Sequence, residues 1–249
     1  MKYTVLTLFP EITDAFFANS IMAKAIKRGI IEYRAINIRD FATDKHKTCD
    51  DAPYGGGPGM LMLPEPLDLA IKSALSGSAK AAGKKPRVIY LSPSGRLFNQ
   101  ELARELAGER ELILICGRYE GIDQRIIDRH VDDEISIGDY VLSSGEVAAL
   151  AVIDATYRLV DSVICADSLA EESFSGGLLE YPQFTRPEVF DTMGVPEVLL
   201  SGHHEQIRLW RLEKRVEKTL RQRPELIKRG RELGIFNDEI LGIIDRRGI

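Results

Sequence analysis

The stretch Glu111–Ile127, ELILICGRYEGIDQRII, decides how the rest of the chain is read. It opens as an unbroken apolar run, Leu112–Cys116, then breaks into Gly117, Arg118, Tyr119, Glu120 and Gly121. An apolar run of that length ending in glycine reads as a strand buried on both faces, closed by a tight loop, with a helix starting at Asp123. In open α/β sheets ligands bind at such strand ends. The loop is neither the G-x-G-x-x-G of a dinucleotide site nor a P-loop, so its ligand must be of another kind.

Moving outward, strand and helix signals alternate. Tyr3–Leu8 reads as a strand closed by Phe9-Pro10, and Ile12–Arg28 as one helix stopped by Gly29. Tyr33–Ile38 is a second strand, Glu65–Leu75 a helix, and Arg87–Leu91 a strand. Asn99–Leu106 is a helix with Asn99 as its N-cap. After Glu134–Ile137, a short apolar piece, Glu146–Val160 reads as a long apolar helix. This alternation predicts an α/β fold with a largely parallel sheet. From Ser162 the texture turns rich in Gly, Pro and Ser, and the C-terminal end is helical: His203–Leu220, Pro224–Arg229 and Asp238–Arg246. The expected organisation is a domain over residues 1–161, a linker over 162–172 and a small all-helical domain over 173–249.

The 249 residues carry 44% hydrophobic and 29% charged side chains, an ordinary composition for a soluble globular protein. No apolar stretch approaches the roughly 20 residues of a membrane span, and no secretory signal peptide is expected. Cys49, Cys116 and Cys165 are widely spaced, which fits a reducing, cytoplasmic setting. Neither they nor the four histidines have metal-ligand spacing, so no metal site is expected. The net charge of −5 hides a strong asymmetry. Residues 131–200 hold 2 basic and 14 acidic side chains, whereas Arg208–Arg231 holds ten basic and three acidic. That segment is either a polyanion contact or only the solvated face of a helix.

Three loops concentrate polar and glycine residues at apolar strand ends: YLSPSGRLF (Tyr90–Phe98), GRYEGID (Gly117–Asp123) and SIGDYVLSSGE (Ser136–Glu146). One such loop is a common turn; three at the same end of neighbouring strands predict a pocket. A fourth segment, Thr43–Met62, contains Gly-Gly-Gly-Pro-Gly beside Asp50 and Asp51, and reads as a lid or a flexible connector.

Taken together, DDAPYGGGPGM, IYLSPSGR, ICGRYEGID, SIGDYVLSSGE and SGHHEQIRLWR closely resemble the bacterial tRNA (guanine-37-N1)-methyltransferase family of the SPOUT class, in the family's order and near its spacing. The resemblance implies a SPOUT-type parallel sheet with a deep trefoil knot, and S-adenosylmethionine bound in the three loops. Carried over, Leu91, Ser92 and Pro93 line one wall, and Gly117, Tyr119 and Glu120 the second. Ser136, Ile137, Gly138, Tyr140 and Leu142 hold the adenine through backbone groups, with Asp139, Val141 and Gly145 completing that loop. The resemblance also implies a homodimer with its active site at the subunit interface, and tRNA as partner.

For the reaction, guanine N1 must lose its proton and O6 must carry the resulting charge, which calls for a base and a cation. Arg158 matches the family's catalytic arginine. The family's aspartate base falls in a Glu-Asp-Ser-Phe context; here the run is EESF, which puts Glu172 in that position and leaves Asp167 as a rival. Ser144 stands where the family usually has glycine. Asp50 and Arg118 match positions near the target base, and Arg208, Arg211 and Arg215 are expected to grip tRNA phosphates. His204 matches the family's SG-x-H turn. A different SPOUT RNA methyltransferase and a non-catalytic RNA-binding protein remain as alternatives; a nucleotide hydrolase would need a P-loop or nucleophile elbow that the chain lacks.

Overall fold

A computed structural model describes residues 1–78, 85–165, 168–169 and 171–247. The chain separates into two compact units, Met1–Ile164 and Cys165–Ile249.

The first unit is built on β1 (Lys2–Thr7), β2 (Glu32–Asn37), β5 (Arg87–Leu97), β6 (Glu111–Cys116) and β7 (Asp133–Ser136), in the order β2-β1-β6-β5-β7. All four pairings are parallel, with Leu114 opposite Val5 on one side and Ile89 on the other. The apolar run of the opening stretch is thus the middle strand, and every residue of it is buried. Its continuous hydrophobicity follows from helices on both faces. Leu112, Leu114 and Cys116 face one core with α1 (Pro10–Phe17), α2 (Ser20–Lys27), α4 (Gln100–Ala107) and α6 (Gly145–Tyr157). Ile113 and Ile115 face the other, with α3 (Pro64–Ser78) and α5 (Gln124–His130). Truncating any of these leucines or isoleucines to alanine costs about 2–5 kcal/mol. The two-residue strands β3 (Asp50–Asp51) and β4 (Leu61–Met62) form a separate antiparallel pair.

Three expectations need correction. The single helix over Ile12–Arg28 is two helices. Asn19 is extended, its side-chain amide donates to the Ala15 carbonyl at 2.7 Å, and Ser20 is left-handed at φ 58°, so the helical ladder stops and restarts. The strand expected to end at Leu91 runs to Leu97, because Leu91 and Arg96 both pair with Ile135 across a bulge that ejects Ser92–Gly95. A Cβ on Gly95 would lie 2.4 Å from the Glu134 carbonyl carbon and from the Ile135 nitrogen, so only glycine fits there. The long apolar helix ends at Tyr157 rather than Val160.

The second unit holds β8 (Val189–Phe190), β9 (Met193–Gly194), α7 (Glu197–Leu200), α8 (His204–Gln222), α9 (Pro224–Glu232) and α10 (Asp238–Arg246). It is not all-helical, since β8 and β9 form an antiparallel hairpin. Its core is Leu178, Val216, Ile227, Phe236, Ile243 and Ile244. Gly230 permits this packing: a Cβ there would fall 2.1 Å from the Phe236 ring.

Candidate functional site: a loop cavity at the ends of the central strands

β6 ends at Cys116, and the chain turns sharply at Gly117. The first residue of α6 docks onto that turn, with the Gly145 N–H donating to the Gly117 carbonyl at 2.9 Å. A Cβ on Gly145 would sit 2.7 Å from Cys116 Cα and 2.8 Å from the Gly117 nitrogen, so backbone lies directly on backbone. Tyr90, from β5, backs the same turn: its ring would be 3.0 Å from a Cβ on Gly117. Burial pushes the Cys116 thiol well up from its ordinary value, which keeps it neutral under the loops.

Above this floor, three loops enclose a cavity of about 310 Å³. Leu91, Ser92 and Pro93 supply one side; Gly117, Tyr119 and Glu120 the second; Ser136, Ile137, Gly138, Tyr140, Val141, Leu142 and Gly145 the third. Asp139 is not on the lining. Tyr90, Ser94, Arg118, Gly121, Ile135, Ser143, Ser144 and Ala148 are on it in addition. The third loop is shaped by its own bonds: Ser136 Oγ donates to the Gly138 carbonyl at 3.0 Å, and the Tyr140 hydroxyl donates to the Ile137 carbonyl at 3.2 Å. Gly138, at φ 155°, lets the Tyr140 ring fold back over it.

The glycine-rich segment is tied to the second loop. The Glu120 N–H donates to the Met60 carbonyl and the Met62 N–H to the Gly121 carbonyl, both at 3.0 Å. Its tip, Tyr54, is fully exposed and is followed by three left-handed glycines, Gly55, Gly56 and Gly57. Asp50, in β3, reaches Tyr119. Burial first, then the Asp50 carboxylate, push the Tyr119 hydroxyl up, opposed by Arg39.

Within the second loop, Arg118 also lines the cavity, pairs with Glu146 at 3.2 Å and lies over the Phe9 ring at 4.4 Å. Glu146 is fully buried and accepts a 2.6 Å hydrogen bond from Thr7 Oγ1. A carboxylate at that depth needs both partners, because an unpaired buried charge costs several kcal/mol. Glu146 escaped the sequence reading, although an acid in the first turn of an otherwise apolar helix was the available signal.

Arg158 is not part of this cavity. It caps the far end of α6, whose 13 residues carry the chain roughly 20 Å from Gly145. Glu172 lies in a turn of the second unit, where its carbonyl accepts from Ser175 N at 3.1 Å. Asp167 falls outside the described residues. The three arginines of α8 differ from one another. Arg208 is exposed and forks onto Glu205 and Glu239, at 2.8 and 2.6 Å. Arg211 stacks on Tyr181 at 4.8 Å. Arg215, expected on a phosphate-gripping surface, instead turns inward. It donates to the carbonyls of Ser175 (2.6 Å) and Leu179 (3.2 Å), and burial lowers its affinity for a proton. It sews the Ser175–Leu179 segment to α8.

Comparison with known proteins assigns the family. Residues 1–229 match the family described as tRNA (Guanine-1)-methyltransferase TrmD. Proteins named tRNA (guanine-N(1)-)-methyltransferase are similar over nearly the whole chain. The one from Treponema denticola is 63% identical, covering 96% of each chain. That from Treponema pallidum is 58% identical over 96% of this chain and 93% of its own, and that from Borreliella burgdorferi 57% over 91% and 92%. The chain therefore belongs to the tRNA (guanine-1)-methyltransferase TrmD family.

Proposed function

We propose that this protein transfers a methyl group from S-adenosylmethionine to N1 of guanine 37 in tRNA, in the cytoplasm and as a homodimer. Family membership supports the tRNA guanine-N1 chemistry. The observation that carries the cofactor is the loop cavity, where bare backbone at Gly117, Gly138 and Gly145 leaves no room for side chains. Backbone N–H and C=O groups there suit a purine edge, and Leu91, Ile137 and Leu142 its faces. When bound, S-adenosylmethionine supplies an electrophilic methyl group. A trefoil knot fits the threading: Ser92–Gly95 loops out against β7, Phe98 N bonds to the Ser136 carbonyl at 2.7 Å, and α6 then returns onto Gly117.

The dimer is supported by α6. The helix is apolar on nearly every side, and such helices are normally buried. Yet Val147, Ala151 and Asp154 leave one face exposed, beside Val141, which is 85% exposed. A partner subunit would cover that face. It would also bring its own Arg158 to a cavity that this chain's Arg158 does not line.

In this reading the guanine leaves the anticodon-loop stack to meet the cofactor. Glu172 accepts the N1 proton, and the Arg158 guanidinium stabilises the charge that moves onto O6. Arg118, held by Glu146, and Asp50, beside Tyr119, position the base. The exposed cations of α8 and α9, Arg208 among them, hold phosphates and set the register. Residues 1–161 bind the cofactor and supply Arg158, 162–172 form the linker and supply Glu172, and 173–249 bind tRNA.

The test is methyl transfer from labelled S-adenosylmethionine to tRNA transcripts with guanine or adenine at position 37. Incorporation only with guanine, mapped to N1, is the expected result; equal incorporation into both would overturn the assignment.

A further inference from the structure

The second unit contains a cavity of about 470 Å³ that the chemistry above does not use. One wall is the irregular segment Tyr181–Arg186, another is α7, and the floor is α8. On α8 the positions Ile207, Trp210 and Arg211 stand three and four residues apart, so they share one face and point together. The rings of Phe184 and Trp210 lie 6.4 Å apart, tilted by 55°, and Phe184 is 48% exposed. The Arg211 guanidinium lies over the Tyr181 ring, 4.8 Å from its centroid. Its NH1 is 3.4 Å from Glu171, which also accepts from the Tyr181 hydroxyl at 2.7 Å. Its buried Nε has no acceptor among the described residues.

Accessible aromatic faces beside planar hydrogen-bonding groups are what an unstacked nucleobase needs. Proteins read single-stranded RNA by stacking bases on Phe, Tyr or Trp and bonding their edges with side chains such as Arg and Gln. A phosphate alone would leave the aromatic walls unused. A purely apolar ligand would strand Arg186, Glu188 and Arg211. The basic run Arg208–Arg231, on the helices that begin at this floor, draws in RNA rather than an acidic surface's partners.

We propose that this cavity receives a second unstacked base of the bound tRNA, besides the guanine that is methylated. The base lies against Trp210 and Phe184, and Arg211 and Gln183 meet its edge. This rests on tRNA being the substrate, and it changes the role of Arg211 from gripping phosphate to reading a base.

Trp210 is the chain's single tryptophan, so its fluorescence reports on this cavity alone. The full-length protein is titrated with an anticodon stem–loop RNA and with a fully paired duplex of equal length, with binding followed independently by filter retention. At saturation the stem–loop should change the Trp210 emission and shield it from acrylamide; the duplex should bind without doing either. Phe184→Ala should weaken stem–loop binding about 5- to 150-fold, the usual worth of one base–aromatic stack, with duplex affinity unchanged. If the stem–loop saturates the protein and is methylated while Trp210 stays equally open to acrylamide, the base pocket is wrong and the tRNA reading stands. If no RNA binds or is methylated, both fall.

Discussion

The two ends of α6 are built in opposite ways. At Gly145 the helix begins inside the loop cavity, pressed onto Cys116 and Gly117, and the contacts are backbone on backbone. At Arg158, roughly 20 Å on, the helix ends in a cation clear of that cavity. One end can shape a cofactor site without any reactive side chain; the other offers a reactive side chain without a cofactor site. On the proposed reading, a single chain supplies halves of two different sites, and the exposed face of α6 belongs in an interface.

The comparison is most easily broken at the glycine end. Gly145→Val would drive a branched side chain into backbone, since even its Cβ would lie 2.7 Å from Cys116 Cα. We expect S-adenosylmethionine affinity to fall at least about 100-fold in equilibrium dialysis, with a lowered melting temperature, since overpacking of this kind costs about 1–3 kcal/mol or more. Unchanged affinity would show that the cofactor sits elsewhere.

Glu172→Gln comes next. It keeps shape but cannot take a proton, so single-turnover methyl transfer should drop by roughly 10²–10⁴-fold with cofactor affinity intact. The wild-type rate should rise with pH until the base is ionised, and the variant should lose that dependence. Near-normal rates in Glu172→Gln, with loss in Asp167→Asn, would move the base to Asp167.

Arg158→Ala sharpens the comparison. Removing a cation from a developing oxyanion typically costs about 10²–10³-fold in rate. Because Arg158 is outside its own chain's cavity, cofactor binding should be unchanged. A parallel loss of cofactor binding would mean that Arg158 only braces the fold.

The smallest effect serves as a control away from both ends. Arg208→Ala should reduce the salt slope of tRNA binding by about 0.7–0.9, one phosphate's worth, and leave the rate at saturating tRNA unchanged. Its forked pairing with Glu205 and Glu239 competes with phosphate, so no change in slope would confine Arg208 to that internal network.

The sheet was legible because burial on both faces writes itself as uninterrupted apolar runs, as in Leu112–Cys116. The loops that line the cavity were legible because close backbone approach demands glycine. What escaped were features decided by tertiary contact. The one local mark of the Asn19–Ser20 break is Asn19 as an N-cap residue type inside an apolar periodic run, with neither glycine nor proline to reinforce it. The Ser92–Gly95 bulge depends on β7, which lies about forty residues further along the chain, and a loop followed by a strand looks the same as one strand with a bulge. Arg215 looked like part of a charged helical face, yet two carbonyls of a distant segment draw it inward. Glu146 and Tyr90 contribute from beneath the cavity, and a sequence does not show which side chain lies under a loop.

The most direct test of the divided site is a mixed dimer. Gly138→Val should block the cavity at an exposed loop, where the side chain meets the Tyr140 ring and is strained at φ 155°, with an unchanged melting temperature required as the check that the fold survives. That chain, inactive and unable to bind cofactor, is mixed with inactive Arg158→Ala. In each heterodimer one site then combines an intact cavity with an intact Arg158 from the other chain. Random pairing should restore about a quarter of the wild-type activity per chain. Heterodimers verified by mass that remain as inactive as either parent would contradict the account, placing cavity and arginine in the same subunit's site.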